Sequence, residues 1–158
     1  MELRRKRATR HRKAGAGTPG AVSSGRRASI KRALKDALAR RPEIVFAYLF
    51  GSFAEKLPFR DIDIAVWVDE DAGRKDLEQD PWRYEATLGA GLTPLVGTPV
   101  DVTILNHAPL PLRYHATRGE LLFTRDEMQR CTFLEETWRD YFEMEPHLRQ
   151  FLHDILEA

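Results

Sequence analysis

From residue 30 onward, apolar positions follow a helical period, then a strand period, and the two alternate along the chain. Ile30, Leu34 and Leu38 stand at i, i+4 and i+8 behind Ser29, a helix-capping type, so the spacing predicts a helix over 30–41 that Pro42 stops. The apolar run Ile44 to Phe50 (IVFAYLF) predicts a strand ending at Gly51, and residues 61–68 predict a second. Between them, Ser52 is placed to cap a short helix over 53–56. Leu77, Trp82, Tyr84, Leu88 and Leu92 mark a helical region over 74–92, with Pro81 expected to break or kink its start. Gly97 and Pro99 lead into a third strand, residues 99–105, and Ala108-Pro109 opens a short helix to about Thr117. Gly119 ends that helix, and residues 120–124 read as an edge strand.

The last third is helical. Asp126 can cap a segment carrying Cys131, Leu134, Trp138, Tyr141 and Phe142, and a second stripe of Leu148, Phe151, Leu152 and Ile155 follows Pro146. Core packing against the sheet is the default meaning of such stripes; a partner or a second copy docked on them is the alternative. No internal repeat is visible. The element order predicts an α/β (α+β) fold, a small mixed sheet flanked by helices with a helical C-terminus.

Charge divides the chain. Nine of the 25 Lys and Arg but only one of the 24 Asp and Glu fall in residues 1–30, so that segment is net +8 and the remainder net −7. Residues 1–28 are rich in Gly, Ala, Ser and Arg, too poor in large apolar side chains to order themselves, and are expected to form a basic tail before a domain at 29–158. Such a tail can bind RNA or DNA through phosphates, yet without interleaved aromatics a solvated segment is the preferred reading. Gly15-Ala16-Gly17-Thr18-Pro19-Gly20 matches Gly-x-Gly-x-x-Gly only formally, because no strand precedes it. The single Cys131 excludes an internal disulfide and suits a reducing cytoplasm. No apolar run approaches the about 18 residues needed to span a membrane.

Candidate chemistry centres on Phe50-Gly51-Ser52 followed by Asp61-Ile62-Asp63-Ile64. Strand side chains alternate, so Asp61 and Asp63 project together while Ile62 and Ile64 enter the core. Paired carboxylates of this kind can share a hard cation, although a solvated sheet face gives the same pattern. Asp101, opposite Val100 and Val102, is a third acid on a strand; three acids at one end of a sheet repel one another unless cations neutralise them. At the end of the upstream strand, Gly51 lets backbone N–H groups approach an anion, and Ser52 adds a hydroxyl. His107 and His115 are scattered among no cysteine pairs, and a carboxylate set suits Mg2+ better than Zn2+. Arg113 and Arg118 are candidates for phosphate or partner carboxylates, or for solvent.

A hydrophobic strand, Gly-Ser, a spacer, Asp-hydrophobic-Asp and a later strand Asp resemble the DNA polymerase beta type nucleotidyltransferase superfamily. The short length, Asp101 to Pro109, Leu112-Arg113 and Arg118 to Phe123 resemble its minimal nucleotidyltransferases, commonly antitoxins that adenylylate a HEPN-domain toxin on tyrosine. The resemblance spans roughly residues 30 to 157 and implies a palm-like fold and transfer of AMP from ATP to a hydroxyl. It further implies two Mg2+ ions on Asp61, Asp63 and Asp101 and phosphate contacts from Gly51 and Ser52; Lys56 or Arg60 is the candidate for the positive charge that the family places after Gly-Ser, with a solvated loop residue as the alternative. The chain departs from the family at Glu55-Lys56, which replace an Arg-Gly pair, in a spacer shortened to eight residues, and at Arg60 before Asp61. A small-molecule nucleotidyltransferase of the aminoglycoside-modifying kind and a non-catalytic toxin-binding antitoxin remain as alternatives.

Overall fold

The computed structural model describes residues 22–72 and 75–158. Most of the expected basic tail, residues 1–21, lies outside them. The first helix, α1, spans Ser24–Ala39 and is capped by Ser23, whose hydroxyl accepts the Arg26 N–H at 3.2 Å. Ser29 is therefore not the cap. The stripe beginning at Ile30 marks where α1 meets the core, whereas its start is tied down by two arginines. The Arg26 guanidinium donates to the Val96 carbonyl at 2.8 Å, and that of Arg27 donates to the Phe53 carbonyl and lies 4.3 Å from the Phe53 ring centroid.

Strand β1 (Ile44–Phe50) is buried along its whole length because it is central and covered on both faces. It pairs antiparallel with β2 (Ile62–Val68) on one side and with β4 (Glu120–Thr124) on the other. Strand β3 (Val100–Ile104) then pairs parallel with β2, giving the mixed order β3-β2-β1-β4 with β4 at an edge. Parallel β2 and β3 require a long crossover. It is built from α3 (Lys75–Gln79) and α4 (Pro81–Val96), the expected 74–92 helix divided at Pro81. Asp80 caps α4 by accepting the Arg83 N–H at 3.1 Å, and proline is well suited to the first helical position. Helix α4 continues past residue 92, through Pro94, to a left-handed Gly97.

Helices α1 and α4 cover one sheet face, packing Leu34, Leu38, Leu88 and Leu92 on Ala47, Leu49, Ile64 and Val66. The opposite face, with Phe46, Tyr48, Phe50, Ala65 and Trp67, receives α5 (Leu110–Thr117) and α6 (Glu127–Leu156). There the Phe133 ring sits 5.6 Å from Phe46 and 4.9 Å from Trp67, and Tyr114 stacks on Tyr141 at 3.7 Å. The Trp138 indole N–H donates to the Thr117 hydroxyl at 3.0 Å.

Two expectations for the C-terminal third are corrected. Helix α6 is one element of 30 residues with Pro146 inside it, not two helices separated there. Proline in a helix interior costs roughly 3 kcal/mol; strong helix formers on either side and the Glu145–Arg149 pair at 2.7 Å offset part of it. Core packing of the stripes is corrected in part: Leu134 packs against the core beside Phe133 and Tyr141 stacks on Tyr114, but the second stripe is left exposed. Only Phe133 and Thr137 of α6 are buried, while Phe142 is 52% and Phe151 61% exposed. The helix simply outruns the sheet, and every residue from Pro146 onward is exposed.

Candidate active site

Antiparallel pairing sets Phe50 opposite Asp63, and parallel pairing sets Asp63 opposite Asp101. Directly paired residues point to the same side of a sheet, so this register carries both acids to the α5 and α6 face, at the end that the helices leave open. Asp61, two residues before Asp63, points the same way. Carboxylate oxygens of Asp61, Asp63 and Asp101 lie within 4.8 Å of one another. The strand alternation thus brings together all three acids expected from the sequence. Asp61 and Asp63 are half-buried, and Asp101 is exposed.

Crowding and burial disturb their ionisation. The Asp63 carboxyl is pushed up to about 6, first by burial and then by the charges of Asp61 and Asp101, while His115 pulls it back. Asp101 is also raised, by partial burial and by its hydrogen bond and repulsion with Asp61. Such a donor set is hard, all oxygen and short of positive charge, which fits a divalent cation with oxygen preference.

Gly51 closes the site from the other side. Its φ is +75°, and a Cβ there would stand 2.2 Å from a carboxylate oxygen of Asp63, so the turn demands glycine twice over. Helix α2 covers Gly51–Ala54 with Phe50 at the capping position; Ser52 lies within its first turn and is not the cap. Gly51 opens onto a cavity of about 320 Å3 lined also by Phe50, Ala54, Glu55, His115, Arg118 and Glu120. His115 meets the Phe50 ring edge-on at 5.9 Å.

Other candidates fall elsewhere. Lys56, with φ +59°, lines a separate depression with Val22, Ser24, Arg27 and Leu57. Arg60 is exposed just before Asp61. His107 pairs with Glu70 at 3.5 Å beyond the far end of β3. Arg113 donates to the Asn106 carbonyl at 2.5 Å and lies over the Phe133 ring, so it braces the fold. Asn106 is structural as well: its amide exchanges hydrogen bonds with the Val68 N–H at 2.9 Å and carbonyl at 2.8 Å. What the local pattern could not single out is that His115 and Arg118 share a cavity with Gly51, because that follows from how α5 crosses Phe50.

Mixed sheet, glycine turn and carboxylate triad together define a nucleotidyltransferase architecture. Residues 32–128 match the polymerase beta nucleotidyltransferase family, and the chain belongs to it. The matched segment is a nucleotidyltransferase domain. Among solved structures, it is similar to the complex of a tri-AMPylated Shewanella oneidensis HEPN toxin with its MNT antitoxin. The identity there is 21% and the TM-score 0.63, covering 84% of this chain and 99% of that one. A toxin–antitoxin solved with AMP-PNP gives 22% and 0.64, over 81% and 98% of the two chains. The MntA–HepT toxin–antitoxin gives 21% and 0.58, over 86% and 100%. At these identities the likeness establishes the fold. No curated protein matches the chain significantly. No helix among the described residues is long and apolar enough to cross a membrane.

Proposed function

We propose that the protein is a Mg2+-dependent adenylyltransferase that moves AMP from ATP onto a tyrosine hydroxyl of a HEPN-type toxin, acting as that toxin's antitoxin. The observation that carries this reading is the convergence of Asp61, Asp63 and Asp101 within 4.8 Å beside Gly51. It is supported by the toxin–antitoxin complexes that share the fold, one with an AMPylated toxin and one with AMP-PNP. Asp61 and Asp63 are the residues that would hold two Mg2+ ions, with Asp101 completing the second site. Bound there, the metal neutralises triphosphate charge and lowers the pKa of the acceptor hydroxyl.

The protein's own groups divide the remaining work. Gly51 and Ser52 present first-turn N–H groups that lack helical partners to the departing phosphates, with Arg60 retained as a further cation and Lys56 as a peripheral one. Asp101, the most exposed acid, accepts the tyrosine proton. The tyrosine oxygen then bonds the α-phosphorus as the bond to the β-phosphate oxygen breaks, and pyrophosphate leaves. Exposed apolar residues of α6 offer the surface on which the toxin docks.

Labelled ATP and the HEPN-type product of a neighbouring gene provide the test. Mass spectrometry should find adenylate on a partner tyrosine, and Asp101→Ala should lose about a hundredfold or more in transfer rate while keeping most ATP binding. Transfer to a small hydroxylated compound instead would select the aminoglycoside-type alternative. Tight partner binding without transfer would select the non-catalytic one.

A further inference from the structure

The acid triad creates a demand for positive charge that Lys56, close to the Gly-Ser turn, does not meet, and Arg60, before Asp61, is exposed and outside the Gly51 cavity. Glu55-Lys56 stand where the family resemblance expects Arg-Gly, and Lys56 lines a different depression from Gly51. Two groups from the other side of the cavity are placed to meet it. His115, in the last turn of α5, and Arg118, just after it, line the cavity together with Gly51. His115 lies close enough to Asp63 to lower its carboxyl pKa, and its ring is held against Phe50. Arg118 rests 5.6 Å from the Tyr114 ring centroid and has no carboxylate partner among the described residues. Of the two acids on the rim, Glu120 is paired with Lys31 at 2.7 Å, and Glu55 is exposed.

We propose that His115 and Arg118 form the polyphosphate grip of this nucleotidyltransferase, binding the β- and γ-phosphates of the nucleoside triphosphate across the cavity from Gly51. The inference rests on the nucleotidyltransferase reading and assigns to α5 the positive charge missing after the Gly-Ser turn. A guanidinium supplies paired donors matched to phosphate oxygens, and an imidazole N–H supplies a third. A cavity of about 320 Å3 suits a phosphate tail, leaving base and ribose outside it.

Calorimetry with ATP and AMP in Mg2+ tests this on the wild type and on Arg118→Gln, Arg118→Lys and His115→Gln, each first shown folded by its thermal melt. Arg118→Gln should weaken ATP about tenfold while changing AMP by less than about twofold, erasing the preference for the triphosphate. His115→Gln should act in the same direction by about threefold, and Arg118→Lys should recover part of the loss. In transfer assays KM for ATP should rise more than kcat falls. Wild type that binds ATP, with variants unaffected or with ATP and AMP weakened equally, overturns the phosphate grip alone. Wild type that binds no nucleotide overturns the nucleotidyltransferase reading with it.

Discussion

Asp63 is half-buried between Phe50 and Asp101 on the sheet, and a charge there is costly to the fold. Its carboxyl binds a proton more tightly folded than unfolded, rising from 3.8 to about 6. Stability from this group is therefore present in acid and is lost as pH climbs from about 3.8 through about 6. In EDTA, Asp63→Asn should melt above wild type at about pH 7, and the gap should close towards about pH 4. Adding Mg2+ should raise the wild-type midpoint and leave the variant unchanged. A variant that melts below wild type in EDTA at neutral pH would show that the carboxylate is satisfied by the protein alone. Much of this site is legible in the sequence, because alternation along a strand is enough to put Asp61 and Asp63 on one face. The second reason for Gly51, the room it leaves for the Asp63 carboxylate, appears only when α2 is folded against β2.

Helix starts and stops were the less legible part of the elements. Both β1 and β4 match their apolar runs, as does the division of the α3–α4 region at Pro81. Ser29 failed as a cap because an apolar stripe reports burial, and α1 begins before it is buried. The consequence can be measured. We propose that removing residues 1–21 leaves the melting midpoint within about a degree, since that segment holds few large apolar side chains. Removing 1–28 takes away the Ser23 cap and the Arg26 and Arg27 bonds, and should cost roughly 1–3 kcal/mol. Chemical denaturation of the two truncations decides it; equal midpoints would mean that the first turn of α1 adds nothing. Pro146 misled in the other direction, because a proline in a long exposed helix weakens it without obliging it to end.

For the whole molecule, α6 is the element whose meaning depends on something outside the chain. Its far half projects beyond the sheet with Leu148, Phe151, Leu152 and Ile155 exposed, an apolar surface of the kind that marks interaction sites. Under the proposed function, a HEPN-type partner should raise the melting midpoint in a concentration-dependent way. Phe151→Asp with Ile155→Asp should abolish that rise while leaving the protein alone as stable as wild type, since neither side chain is buried. An undiminished rise would place the docking surface elsewhere. The sequence by itself determined the element order, the mixed α/β class and the three acids, because those follow from local periodicity and residue chemistry. Tertiary structure alone decided that β3 lies parallel beside β2 with Asp101 level with Asp63, and that α5 lays His115 and Arg118 across the Gly51 cavity. It also decided that the second stripe of α6, Leu148 to Ile155, faces outward. An apolar stripe specifies that a face can be covered, and only the packing of the finished sheet shows whether the chain itself has anything left to cover it with.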